Sequence, residues 1–545
     1  MDRRLALALL LSGLAVVASS MLFPPAPREP AQPTGTAIES TAAVPPVAPP
    51  LQRDMTAQVA GIADPRPADT LIVQTQKATY RFSTRGATPI DVTLRDYRAL
   101  NRDSGLVRLV RDSTPLVALR LVSGRDTIAL DQTPFVVETT GQREMPDSLV
   151  FRGVTPAGDV TLTYHLDPEG YLLRVNGSVP SSVEQLIVIL PRGVRSEEAN
   201  AEDDRRYLAF ALKPVRDDAR SVDFSKLDSG ERRQENGPFT WVSSKNKYFL
   251  VTLLTPEGSQ QAFSRAYLVG ASREGGAATT ADAYVVLPVE NGRFSLEIYA
   301  GPQEWRRLRA LGRDMEHANP YGGFMKGVVQ PFATIVMRLL LWMHDTLRLS
   351  YGWVLVIFGI AVRIILWPLN QRAMRSSLKM QVLQPEMAAI QKKYGNNPQK
   401  QQEEMVRIYR EHGMSPFSMF SGCLPLLIPM PVLFALFFVF QNTIEFRGVS
   451  FLWLDDISLK DPYYILPLIM GVSMYVLSWI GMRNAPPNPQ AKMMMYMFPV
   501  IMTVALVNMA SGLNLYYAVQ NIAALPQQWL IARERARHTA TSSRK

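Results

Sequence analysis

Two kinds of hydrophobic patterning divide this chain. From about Asp69 to Tyr299 the apolar residues come in short alternating runs, such as Thr70 to Val73, Asp159 to Tyr164 and Tyr171 to Val175, separated by Gly, Asp and Pro. A period of two over four to eight residues, bounded by turn formers, predicts strands buried on one face. Residues 70–312 therefore read as an all-β sandwich that closes on a short helical stretch, Gln303 to Met315. Beyond it the runs are long and unbroken: Tyr351–Leu369, Phe417–Phe440, Tyr463–Ile480, Met493–Asn508 and Gly512–Ile531. Each approaches the ~20 residues that a helix needs to cross a hydrocarbon layer about 30 Å thick. A further uncharged run, Leu5 to Phe23, follows Asp2, Arg3 and Arg4. It is longer than the usual apolar core of a cleaved signal peptide, and Ala18, Ser19 and Ser20 make only a mediocre cleavage site, so residues 1–23 read as an uncleaved anchor, with a cleaved signal peptide as the competing reading. The expected fold is an α-helical polytopic membrane protein of six transmembrane helices with an extracytoplasmic all-β sandwich.

Between anchor and sandwich, residues 24–69 are rich in Pro, Ala and Thr and read as an extended linker. Composition supports a membrane part joined to a soluble part: 47% of residues are apolar and 19% charged, with the long apolar runs crowded into the final third. The net charge of +10 raises nucleic acid as a partner, but much of the basic excess flanks apolar segments, where Lys and Arg set orientation. Sequence-specific nucleic-acid binding is not expected. The loop 372–412 holds eight Lys or Arg against four Glu, so it belongs in the cytoplasm. The loop 442–462 is net acidic, whereas Arg483, Lys492 and the tail 533–545 are basic. Alternation then puts both termini in the cytoplasm and the sandwich outside. Val328 to Leu347 is apolar but carries Gln330, Pro331, Arg338, His344 and Asp345, and a seventh span would invert the basic loop. The segment 325–349 is therefore expected to be an amphipathic helix in the outer interface, its charges toward the headgroups, and 350–532 to be the five-helix core.

Arg363 stands out chemically. It lies six residues before its span ends at Leu369, about 9 Å in at the helical rise of ~1.5 Å per residue. A central Arg costs roughly 2.5 to 3.5 kcal/mol on insertion scales, so it should face a wet cavity or a partner rather than lipid. Snorkelling to the cytoplasmic surface is the bland alternative. The five C-terminal spans contain no Asp or Glu to neutralise it. In the last span Asn514, Tyr517, Asn521 and Gln528 fall on one helical face and could line a groove with Arg363, although helix–helix hydrogen bonding explains such residues equally well. The third span opens at Pro416 and contains Pro425, Pro429 and Pro431, which favour an irregular helix. Met430, Met470, Met474, Met493, Met494, Met495 and Met497 add adaptable apolar surface, with core packing as the plainer account. In the basic loop, Leu383, Met387, Ile390 and Tyr394 form one helical stripe before a turn at Gly395 to Pro398. A helical hairpin follows, its stripe either closing the hairpin or capturing an incoming chain.

No catalytic pattern rises above chance. The single cysteine, Cys423, permits no internal disulfide and no zinc cluster. All five histidines lie outside the expected spans, and neither a metal nor a cofactor is expected. A secondary transporter using Arg363 to bind an anionic solute is the alternative function, but coupling-ion sites usually need intramembrane acids.

Three stretches resemble the YidC branch of the YidC/Oxa/Alb insertases: Val362-Arg363 with Trp367-Pro368-Leu369, Met380 to Pro385 with the hairpin, and Gly422-Cys423-Leu424-Pro425-Leu426-Leu427-Ile428. Asp461 to Pro467 through Gly471, Phe498-Pro499 and Ser511 to Tyr517 extend the resemblance in family order from about Tyr351 to Gln528. In the sandwich it is weaker, resting on position and on Thr84-Arg85-Gly86. The resemblance implies a bacterial inner-membrane insertase, not an enzyme, whose arginine-bearing groove is open to lipid and cytoplasm. Arg363 matches the groove arginine and Tyr517 the last-span substrate contact, with Asn514 and Asn521 beside them, while Gly359 stands where some relatives carry a hydroxyl. It implies a substrate slide along the third and fifth spans, here Met430, Phe434, Met494 and Phe498. The implied partners are nascent membrane proteins, the lipid bilayer, the Sec translocon, and ribosome and signal-recognition components.

Overall fold

The computed structural model describes residues 69–101, 105–111, 114–142, 145–274, 277–319, 326–382, 384–395, 397–411, 430–483 and 489–542. The expected anchor 1–23, the linker up to residue 68, Leu383, residues 412–429 with the Cys423 motif, and residues 543–545 lie outside the described residues.

Among the described residues eighteen strands form two antiparallel sheets. Thr70–Gln74, Ala78–Ser83, Pro89–Arg98 and Leu106–Arg108 lie side by side in the smaller, and the remaining fourteen make the larger. Where one face of a sheet is covered the strand alternates, as in Gly158–Leu166, which buries Val160, Leu162 and Tyr164. Where both faces are covered the apolar run is continuous, as in Gln185–Leu190 and Phe249–Leu254. Val73, Tyr80 and Phe82 of the smaller sheet share one core with Phe151, Tyr164 and Val175 of the larger. Phe82 meets Tyr164 edge-on at 5.1 Å between ring centroids. Two short helices belong to this domain, α1 (Ala201–Arg205), capped by Asn200, and α2 (Trp305–Ala310).

Eight helices follow among the described residues: α3 (Lys326–Leu347), α4 (Tyr351–Val382), α5 (Gln384–Lys393), α6 (Pro398–Glu411), α7 (Met430–Asn442), α8 (Ile465–Met482), α9 (Pro489–Leu506) and α10 (Ser511–Ser542). The apolar stretches Tyr351–Gln371 and Ile465–Met482 are long enough to cross a membrane, and only 28% of each is buried. That is the reverse of a soluble core helix and suits an apolar solvent. Pro431–Phe440 and Met495–Leu506 are apolar but shorter. The six-helix count thus rests partly on segments outside the described residues. The first core span was expected to stop at Leu369, yet α4 continues through Pro368 for 32 residues, about 48 Å at the standard rise. A proline removes one hydrogen bond without ending the helix when the flanking turns hold.

α3 packs Ala333, Val336, Met337, Leu340 and Leu341 into the helical core and exposes a second apolar stripe, Phe332, Ile335, Leu339 and Trp342. Its charges, expected to reach headgroups, are taken up by the β domain. Asp345 pairs with Arg306, and Arg338 sits 4.7 Å over the Trp305 ring. Neighbouring charges and rings on and beside α2 give these side chains better partners than solvent does.

The segment between α7 and α8 ties the two parts together. Ile444 lies in the β-domain core, and Phe446, two residues on, lies in the helical core. Arg447, with a side chain 4% exposed, holds both carboxylate oxygens of Glu198 at 2.9 and 3.0 Å and donates to the Arg98 carbonyl at 2.9 Å. Asp461, fully buried, accepts from the backbone N–H groups of Tyr463 at 3.0 Å and Leu466 at 2.7 Å and so closes the N-terminus of α8. That gives the Asp461 to Pro467 motif a physical reason, because the first turn of a helix has N–H groups to satisfy and favours negative charge.

Candidate functional site

Arg363 projects from α4 toward α10. Its Nη2 donates to Gln527 Oε1 at 2.9 Å, and Gln527 Nε2 donates to the Trp367 carbonyl at 3.1 Å. Arg363 Nε is buried without a partner, and among the described residues Arg363 has no ion pair. Its sequence neighbours Ile364 and Ile365 are 65% and 72% exposed. The charge is therefore tied back against α10 on one side of a helix whose other side is open apolar surface.

Two turns earlier on α10, Gln520 repeats the arrangement. Its Nε2 donates to the Gly359 carbonyl at 2.8 Å and lies 3.1 Å from Tyr516 Oη. Gly359 makes this approach feasible: a Cβ there would stand 3.0 Å from Val519 Cγ1 and 3.5 Å from Tyr516 Cδ2. Gly359 thus presents its backbone carbonyl to Gln520.

The polar residues anticipated in the last span divide between two neighbours. Asn514, fully buried, donates to the Leu506 carbonyl at 3.0 Å, and Asn521 donates to the Met470 carbonyl at 3.4 Å and to Ser473 Oγ at 3.3 Å. Gln528 packs beside Gly481. These side chains hold α10 to α8 and to the end of α9. Tyr517, 7% exposed, lies in the helical core cluster. The residues that the structure brings to Arg363 and its helix are Gln520 and Gln527, with Tyr516. Sequence reasoning passed over them, although offsets of 0, 4 and 11 from Tyr516 put all three on one helical face.

Of the anticipated slide residues, Phe434 on α7 and Phe498 on α9 are half-buried, and Phe498 packs against the helical core. The side chains of Met430 and Met494 lie outside those described. Around Phe498, α9 exposes Met497, Val500, Ile501 and Val504, and α8 exposes Leu468 and Val472. In the hairpin, Met387 and Ile390 on α5 and Tyr394 just beyond it pack with Met405 and Ile408 on α6. The stripe closes the hairpin on itself. Its basic outer surface, including Lys392 and Lys393, stays exposed.

Comparison with known proteins gives two family models in order along the chain: a YidC periplasmic domain over residues 70–335 and a 60Kd inner membrane protein over residues 342–538. The membrane protein insertase YidC of Chlorobium luteolum is 30% identical over 443 residues, covering 76% of this chain and 70% of the relative. That of Chlorobaculum tepidum is 29% identical over 489 residues, covering 84% and 81%. Among solved structures, an active YidC insertase crystal structure with its first transmembrane domain resolved aligns at 22% identity over 85% of this chain and 93% of that one, with a TM-score of 0.35.

Proposed function

The chain belongs to the YidC family of membrane protein insertases, and from that premise we propose that Arg363 is the working charge of a hydrophilic groove that accepts the translocated segment of a client. The protein is a membrane protein insertase with a β-rich periplasmic domain and a helical C-terminal region, and its substrates are nascent membrane proteins. The observation that carries the proposal is a permanent cation inside α4, hydrogen-bonded among the described residues only to a neutral amide and unmatched by any acid in the sequence of the five C-terminal spans. Such a charge favours anionic or polar segments at a depth where water is scarce. Phe434 on α7, and Phe498 with the exposed apolar face of α9, supply a path for the client's apolar helix.

The proposed topology has six spans, both termini in the cytoplasm, and the domains bounded as the sequence divides them. Arginine–tryptophan pairs support it. Arg483 lies 5.6 Å from the Trp479 ring at the end of α8, and Arg533 4.3 Å from the Trp529 ring where the apolar part of α10 ends, as charge and ring do at an interface. The basic hairpin lies beyond the same end of α4, suited to meeting a ribosome, signal-recognition components or the Sec translocon.

The test is insertion of clients with acidic translocated tails by full-length variants. Arg363→Lys keeps much of the activity, and Arg363→Ala and Arg363→Glu lose it. Equal insertion by Arg363→Glu rejects the groove reading.

A further inference from the structure

Gln527 is 1% exposed and has both ends of its amide engaged. The two bonds are not independent. A carbonyl only accepts, so the Trp367 carbonyl requires the amide nitrogen on its side and thereby fixes the amide oxygen toward Arg363. The guanidinium is met by an acceptor whose direction is set by the backbone of its own helix, four residues further on.

An arginine this close to lipid has another option. Its long stem lets the head slide along the helix toward the nearest interface. A single directed acceptor from α10 holds it back. The choice of acceptor matters as much as its position, because glutamine supplies an oxygen without a charge. A glutamate of the same length would hold the guanidinium as firmly and cancel its field. Gln520, seven residues earlier on the same face, stitches α10 to α4 in the same way but ends on the Gly359 carbonyl and Tyr516, not on the arginine. It is a built-in control for the packing role alone.

We infer that Gln527 is the positioning residue for Arg363: its amide oxygen keeps the guanidinium at working depth while leaving the full positive charge for the client. The inference rests on the groove reading of Arg363.

The experiment uses full-length protein in vesicles of phosphatidylethanolamine and phosphatidylglycerol and two clients that differ only in the translocated tail, one with two aspartates and one with two serines. The readout is the ratio of acidic-tailed to serine-tailed insertion, which a packing defect leaves unchanged because it lowers both. Gln527→Glu and Gln527→Leu each lower the ratio about tenfold, the scale of one charge-assisted hydrogen bond. Gln520→Leu lowers both clients in proportion. Adding Gln527→Leu to Arg363→Ala produces no further fall in the ratio, since both act through one charge. If Arg363→Ala collapses the ratio while Gln527→Glu preserves it, the inference is overturned and the groove reading stands. If Arg363→Ala itself preserves the ratio, the groove reading falls and takes the inference with it. Equal loss of both clients in Gln527→Glu assigns the residue to helix packing and also overturns the proposal.

Discussion

Truncating Arg447 to alanine tests how firmly the β domain is fixed to the membrane core. The side chain makes two bonds to Glu198 and one to the Arg98 carbonyl, and lies 5.3 Å from the Phe249 ring. Both partners of the pair are more than nine-tenths buried. Removing one member of such a pair costs about 3 to 5 kcal/mol, mostly because the other charge is left buried alone. Burial pushes the Glu198 carboxyl up to about 7, with Asp204 raising it further and Arg447 and Lys247 pulling it down. A carboxyl raised from its ordinary value of 4.5 binds its proton more tightly in the docked state. Docking is then strongest at low pH, weakens as pH rises from 4.5 toward 7, and is held above 7 by Arg447. Without Arg447 the carboxyl rises further and the weakening continues above 7. The variant and the parent therefore differ most at pH 8.5, and the charge part of the difference is largely gone at pH 6. Hydrogen exchange of the Arg447 amide, which donates to the Ile444 carbonyl at 2.9 Å, reports local opening. About 3 kcal/mol corresponds to roughly 150-fold faster exchange at pH 8.5 after correction for intrinsic rates. Less than fivefold acceleration, or the same acceleration at both pH values, would falsify the buried-pair account.

Three further outcomes follow from the same structure. A cysteine at Lys393, exposed on the hairpin, reacts with impermeant reagent only after the cytoplasmic face is opened, and labelling from outside in sealed cells refutes the six-span topology. Ile408→Asp puts a charge against Ile390 in the hairpin's own small core; it opens the pair, seen as protease cleavage between α5 and α6, and insertion falls with it, whereas an intact hairpin with full activity separates the two. Gly352→Val drives a side chain into the Phe451 ring, where α4 meets the segment between α7 and α8, and overpacking of this kind costs about 1 to 3 kcal/mol; thermal unfolding in detergent measures it, and an unchanged midpoint counts against the packing described.

Long apolar runs and alternating strands were legible because each reports a local demand: a helix in lipid must be apolar along its whole length, and a sheet covered on one face must alternate. Arg363 was legible for the same reason, since a charge inside such a run violates the rule of its surroundings. The apolar run told where lipid contact ends but not where α4 ends, because whether a helix continues past Pro368 depends on what packs around it. Met387, Ile390 and Tyr394 announced an apolar stripe, but only the fold shows α6 covering it. Asn514 and Asn521 share a face and hydrogen-bond to the end of α9 and to α8, while Gln520 and Gln527, polar in the same degree, turn to α4 and the arginine. One-dimensional periodicity gives the faces of a helix but not the neighbour each face meets. That assignment comes from long-range contacts among α4, α8 and α10, and so does the pairing of Arg447 with Glu198 across nearly half the chain.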